Sequence, residues 1–276
     1  MFYNKDFYMQ REFQFYIVPT PIGNLNDISL RALDVLKSVD FIACEDTRTT
    51  QNLLNHYNIK TKTFSYHKYN EKSKIDEILK LIKSGNTIAL VSDAGTPMIC
   101  DPGNILIGAL IENDIKITSL PGACAISTFL SQIPRDSEYF VFTGFFPRTE
   151  KAASDLLLKY SGTNLVFYDS PNRILDTLRL VKKIRGDVKI ALGRELSKLF
   201  EEVIISNIDD VINHYKDGIK GEIVCMIYSS GNNENLDIEL KIHKLKEKGF
   251  KSKEISTILS TLYNLNKKDI YKLTME

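Results

Sequence analysis

Histidine and cysteine are scarce in this chain, four of each among 276 residues. Cys44, Cys100, Cys124 and Cys225 never fall at C-x-x-C spacing, and no histidine stands at ligand spacing from them. A structural zinc site is therefore not expected, and no metal is assigned. Each cysteine lies in or beside an apolar stretch, which points to buried free thiols in a reducing cytoplasm. His56, His67, His214 and His243 are scattered and read as surface or half-buried imidazoles. No uninterrupted apolar run approaches the roughly 18–20 residues of a membrane span, so no membrane partner is expected. The opening MFYNKDFYMQREFQFYIV lacks the long apolar centre of a signal peptide. It reads as a short arm before the first strand, with Met9 as an alternative start. An excess of charge of either sign is missing too. The net value is +1, so no global field points to nucleic acid, and such a partner has to be met by a local patch.

What is present alternates. FQFYIVPT, DFIACED, TKTFSYH, NTIALVSD and IKITSLP read as strands. Between and after them, LRALDVLKSV, TRTTQNLLNHY, EKSKIDEILKLIKSG, GNILIGALIEND and GACAISTFLSQ carry apolar residues at helical spacing. Asn26, Asp27 and Ser29 are candidate caps for the first helix, Thr47 for the second, and Gly85 closes the third. This is the β-α-β rhythm of a mostly parallel sheet covered on both faces. The rhythm breaks near residues 134–138. From EYFVFTGFFP onward, helices and strands mix without strict alternation, which predicts a second α/β domain with some antiparallel pairing. The polar stretch GNNENLD, residues 231–237, reads as a linker. Two or three short helices follow. They carry Lys241, Lys244, Lys246, Lys248, Lys251, Lys253, Lys267, Lys268 and Lys272 against few acids. The expected organisation is an α/β domain over residues 14–135, a mixed-sheet α/β domain over 136–231, and a basic helical module over 236–276.

In a parallel α/β sheet, ligands bind at the carboxyl ends of the strands. Three loops fall there: PTPIGNLNDIS from Pro19, SDAGTPMICDPG from Ser92, and PGACAIS from Pro121. All combine Gly and Pro with small residues, and none holds Lys or Arg. The Walker lysine and the G-x-G-x-x-G dinucleotide pattern are both absent. A ligand that lacks phosphate and brings its own cation fits such loops better. S-adenosylmethionine, with its sulfonium and zwitterionic methionine end, is such a ligand, and Asp93 and Asp101 are tolerable beside a cation. The same loops also read simply as tight turns.

Taken together, TPIGNLNDISLRALDVLKSVDFIACEDTRTTQNLL, VSDAGTPMICDPG, LPGACA, FYDSPNRILDTL, GRELSKLFEE and KGEIV resemble the ribosomal RNA small subunit methyltransferase I family. That family belongs to the tetrapyrrole-methylase-like, class III methyltransferases. The resemblance runs from about Tyr16 to the C-terminus. It implies a two-domain tetrapyrrole methylase-like fold, S-adenosylmethionine as methyl donor, a homodimer, and 2′-O-methylation of a cytidine in the decoding region of 16S rRNA, within the 30S subunit. It also implies donor contacts from Asp93, Ala94, Gly95, Thr96 and Pro97, with the Thr96 hydroxyl meeting the methionine end. Pro21 and Gly23 form a floor near the sulfonium, Pro121, Gly122 and Ala123 approach from a third strand, and Phe167 and Tyr168 supply a wall for the adenine. Because those two aromatics alternate along a strand, one of them belongs to the core. Many relatives carry Glu where this chain has Asp169.

A ribose hydroxyl is a weak nucleophile and needs a base or a nearby cation as its proton departs. CEDTRTT offers Glu45 or Asp46 as proton acceptor and Arg48 to hold a phosphate or the developing alkoxide. The same acids also suit a helix start. Arg173, Arg194 and Lys198 are candidates for gripping RNA phosphates, with Glu195 fixing Arg194. Surface ion pairs are the alternative. The basic module adds salt-sensitive, non-specific RNA contacts. Two other functions fit less well. The lysine-rich tail and the EDTR wording argue against a small-molecule, tetrapyrrole-type methylase, and no lost loop supports a non-catalytic RNA-binding ribosome-assembly factor.

Overall fold

A computed structural model describes residues 13–229, 234–263 and 265–275. The N-terminal arm up to residue 12 and positions 231–233 of the expected linker lie outside the described residues. By packing, residues through Gln132 together with Gly193–Glu202 form one compact unit. Ile133–Leu192 with the residues from Val203 onward form a second. The short segment Gly193–Glu202 thus leaves the second half of the sequence and folds with the first, which a single cut near residues 134–138 does not anticipate.

The first unit holds a five-stranded sheet of β1 (Phe15–Ile17), β2 (Phe41–Cys44), β3 (Lys62–Ser65), β4 (Ile88–Val91) and β5 (Ile117–Ser119). Its order is β3-β2-β4-β1-β5, and every pairing is parallel. Helices α1 (Leu30–Ser38), α2 (Thr47–His56), α3 (Glu71–Lys83), α4 (Asn104–Glu112) and α5 (Ala125–Ser131) follow the strands. The strands' two-residue period divides their side chains between two cores. Phe15, Ala43, Ile88 and Leu90 pack with Ile78 and Ile82 of α3 and Leu106 and Leu110 of α4. Ile42, Cys44, Ala89 and Val91 pack with Ala32 and Leu36 of α1 and Leu54 of α2. β4 is buried on both faces, which is why it reads as an unbroken apolar run. Of the three candidate caps, Ser29 is the one used: its Oγ accepts the Ala32 N–H at 3.0 Å. The second helix is capped by Asp46, not Thr47.

The second unit is built on β6 (Phe140–Phe145), β7 (Asn164–Asp169), β8 (Lys189–Arg194), β9 (Glu202–Asn207) and β10 (Ile223–Ile227), in the order β6-β7-β10-β8-β9. β6 runs parallel to β7, and β10 runs antiparallel to it, so this sheet is mixed. Helices α6 (Glu150–Lys159), α7 (Ile174–Arg185) and α8 (Ile208–His214) cover it. Its core gathers Phe146, Leu157, Phe167, Leu178, Val181, Leu192 and Val211. The C-terminal helices α9 (Glu234–Glu247), α10 (Ser252–Tyr263) and α11 (Lys267–Leu273) share a small core of their own, Ile238, Ile242, Ile255, Leu259 and Ile270. α9 starts at Glu234, inside the stretch expected as linker, and its Ile238 and Ile242, four residues apart, are buried on one face.

The cysteines are free, as expected, but not uniformly buried. Cys44 and Cys225 are buried, Cys124 is half-buried and Cys100 is exposed. Apolar neighbours in sequence bury a strand residue, whereas Cys100 lies in an irregular loop. Among the described residues, no helix is long and apolar enough to cross a membrane.

Candidate active site on the parallel sheet

All five strands of the first sheet end on the same edge because all run parallel. β4 lies between β2 and β1, and β5 pairs with β1. The loops after β1, β4 and β5 and the turn after β2 therefore emerge side by side. Hydrogen bonds stitch them together. The N–H of Thr20 donates to the Gly95 carbonyl at 2.9 Å, and the Gly95 N–H returns the bond to Thr20 at 2.9 Å. The Thr20 hydroxyl donates to the Ser92 carbonyl at 3.1 Å. The Thr96 hydroxyl donates to the Ala123 carbonyl at 2.9 Å, joining the second and third loops.

Close backbone approach explains two glycines. Gly95 adopts φ +82°, where other residues are strained. A Cβ on Gly122 would lie 2.5 Å from Pro19 Cβ, so only glycine lets the third loop lie against the first. Asp93 and Ala94 are exposed at the turn, while Gly95 and Pro97 are buried beneath it. Pro21 is half-buried, and Pro121 is exposed.

Gly23 meets the segment Gly193–Glu202. A Cβ there would fall 2.3 Å from Lys198 Cγ and 3.1 Å from the Leu196 carbonyl. The Ser197 hydroxyl hydrogen-bonds Asp27, and the Ser197 N–H donates to Glu201 at 2.6 Å. Glu195 (φ 51°) and Ser197 (φ 68°) both take left-handed conformations. Two ion pairs flank that turn. Arg194 bonds Glu202 at 2.6 Å, and Glu195 holds Lys198 Nζ at 2.8 Å.

Glu45, Asp46, Asp93 and Asp101 border the edge, and their surroundings separate their roles. Asp46 caps α2, accepting the Arg48 N–H at 2.8 Å, and it pairs with the Arg48 guanidinium at 2.7 Å. Those bonds hold its carboxyl down at about 2. The Asp46 N–H donates to Asp93 Oδ1 at 3.1 Å, tying the β2 turn to the β4 loop. Glu45 behaves oppositely. Burial first, then the charges of Asp93 and Asp101, push its carboxyl above the ordinary glutamate value, with His67 opposing. Asp101 is also raised, by burial and then Asp93, against a hydrogen bond from Ser92. Of the two candidate proton acceptors, Asp46 is thus committed to a cap and an arginine, and Glu45 is left with the greater proton affinity. Among the described residues, no group of three or more His, Cys, Asp or Glu is arranged to hold a metal ion.

In the second unit, Phe167 is fully buried, its ring 4.7 Å from that of Phe146. Tyr168 is half-buried, with Phe142 and Phe145 at 5.2 and 5.7 Å. Phe167 is therefore the core member of the pair, and only Tyr168 retains an accessible face. Asp169 is buried and well satisfied. It accepts from Arg173 Nε at 3.0 Å and Thr177 Oγ1 at 2.5 Å. Arg173 also donates to the Phe146 carbonyl at 2.9 Å, so its guanidinium is engaged in holding this turn.

The residues after β3 were missed from sequence. Tyr66, His67, Asn70 and Glu71 lie at the same edge, and Asn70 Oδ1 accepts the His67 N–H at 2.8 Å. Their signal was a polar cluster, YHKYNE, following an edge strand of the sheet whose β1, β4 and β5 end in ligand-type loops.

Comparison with known proteins matches this architecture. Residues 14–212 match the tetrapyrrole (corrin/porphyrin) methylases. Among solved structures, a cobalamin-biosynthetic cobalt precorrin-4 methyltransferase superposes with a TM-score of 0.57 at 14% identity, over 77% of this chain and 93% of its own. The uroporphyrin-III-C-methyltransferase of Thermus thermophilus gives 0.53 at 17%, over 80% and 97%. At those identities the likeness concerns the fold, that of a class of methyltransferases. The sequence relatives are nearer. A ribosomal RNA small subunit methyltransferase I of Hydrogenobaculum sp. is 49% identical over 77% of this chain and 94% of its own. The protein so named in Vibrio cholerae is 40% identical over 95% of this chain and 94% of its own. The chain belongs to the ribosomal RNA small subunit methyltransferase I family, within the tetrapyrrole methylases.

Proposed function

We propose that this protein transfers a methyl group from S-adenosylmethionine to the 2′-hydroxyl of a cytidine in the decoding region of 16S rRNA, acting as a cytoplasmic homodimer on the 30S subunit. The observation that carries the donor reading is the edge formed by three cross-bonded loops after β1, β4 and β5. None of those loops contains a basic residue, yet the loop after β4 carries Asp93 and Asp101. Such an edge suits a ligand that brings a cation, and it is poorly suited to a phosphate. Asp93, Ala94, Gly95, Thr96 and Pro97, with Pro21, Gly23, Pro121, Gly122 and Ala123, are the donor residues in this proposal.

The donor supplies an activated methyl group. In the reaction the methyl carbon–sulfur bond breaks as the bond to the ribose O2′ forms, and the hydroxyl proton leaves to a base. Glu45 is that base here, because burial and neighbouring charge raise its proton affinity while Asp46 is held ionised by Arg48. The Arg48 side chain, 88% exposed, is free to reach an RNA phosphate on its open side. Arg173, Arg194 and Lys198 all have carboxylate partners, so bulk attraction for RNA falls to the lysines of α9–α11.

Incubation with labelled S-adenosylmethionine and either 30S subunits, naked 16S rRNA or a porphyrinogen tests the proposal. Label is expected in 30S rRNA, on a cytidine ribose by mass spectrometry. Label in the porphyrinogen alone would replace this reading with a small-molecule methylase. Donor binding without transfer to any of the three would leave a non-catalytic RNA-binding factor.

A further inference from the structure

The turn between β3 and α3 carries a buried carboxylate that the proposed chemistry does not use. Glu71 is 8% exposed, and a single oxygen, Oε1, accepts both the Tyr66 hydroxyl at 2.7 Å and the Gly103 N–H at 2.9 Å. Tyr66 directly follows β3 and is buried. Burial and the adjoining carboxylate both push its phenol upward, so it remains a donor. Gly103 closes the loop that begins at Ser92. Its φ is +141°, and a Cβ there would lie 2.7 Å from Met98 Cγ, so the chain doubles back tightly at this point. At the other end of that loop, the Ser92 carbonyl takes the Thr20 hydroxyl. The loop is therefore held by Glu71 at its far end and by the first of the three loops at its near end.

A carboxylate taken out of water is stabilised only by donors with good geometry. Here both donors belong to other elements, one at the end of β3 and one at the start of α4. We propose that Glu71 is a positioning residue for the methyl-donor site, holding the far end of residues 92–103 in place through Gly103 and Tyr66. The inference rests on the donor reading given above.

The test uses the full chain as wild type, E71Q and Y66F. S-adenosylhomocysteine affinity is measured by calorimetry, with donor KM, kcat on 30S subunits and thermal midpoint alongside. E71Q is expected to weaken donor binding and raise donor KM roughly tenfold, with kcat and 30S binding within about twofold. Y66F is expected to move the same quantities in the same direction by less. A purely structural role would lower the midpoint and leave the donor affinity of the folded protein unchanged. Folded E71Q that binds S-adenosylhomocysteine as wild type does overturns the inference. If E71Q does not fold, unchanged affinity in Y66F overturns it. Failure of the wild type to bind is a separate outcome that removes the donor reading, and this inference with it.

Discussion

Two adjacent carboxylates, Glu45 and Asp46, begin from nearly the same intrinsic acidity and end far apart. The separation comes from their neighbours: an arginine and a helix N-terminus for Asp46, burial and like charge for Glu45. Raised proton affinity in Glu45 has two consequences of known sign. The folded state holds that proton more tightly than the unfolded chain, so Glu45's contribution to stability falls as pH rises through the interval between the two values. Methyl transfer needs the ionised form, so the acid limb of kcat/KM is expected above the ordinary glutamate value of about 4.3. Substitution E45Q is expected to lower kcat roughly 10²–10⁴-fold and to abolish that limb, with donor affinity retained. Steady-state kinetics across pH check both points. An unchanged profile in E45Q would reassign the base.

At the scale of elements, the three loops act as one body because they are bonded to each other and not only to their own strands. Gly122 is the tightest joint, with Pro19 against the space a side chain would occupy. Substitution G122A is expected to cost about 1–3 kcal/mol, since the proline ring has little freedom to move aside. Donor affinity should fall with it, and thermal melts with calorimetry on the same sample measure the two effects. These loops were readable from sequence because apolar strand runs end in Gly-Pro clusters and parallel order puts such ends on one edge. The partners of charged residues were not readable. Glu195 and Ser197 take left-handed conformations, and Glu195 holds Lys198 Nζ, a partner that residue spacing did not point to. Asp46 displaced Thr47 as cap because its side chain could satisfy both the Arg48 N–H and the Arg48 guanidinium. Such choices depend on backbone conformation and tertiary contact, which residue spacing does not encode.

Across the whole molecule, charge is distributed by task. The net value is +1, but the last 40 or so residues carry nine of the lysines. Lys244, Lys248, Lys251, Lys267, Lys268 and Lys272 are all exposed on α9–α11 or the turns beside them, above a small apolar core. Replacing those six with alanine leaves that core untouched. RNA affinity at low salt is expected to drop, and the slope of log affinity against log salt to flatten by roughly 0.7 for each lysine that neutralises a phosphate. Affinity for S-adenosylhomocysteine should not change. An unaltered salt slope would show that the module serves another purpose.

Titration calorimetry of the full chain against S-adenosylhomocysteine, with ATP and NAD as competitors for the same loops, tests the donor assignment most directly. Saturable binding of S-adenosylhomocysteine, unaffected by either phosphate-bearing compound, is the predicted result. Tight binding of ATP or NAD with no heat from S-adenosylhomocysteine would contradict it.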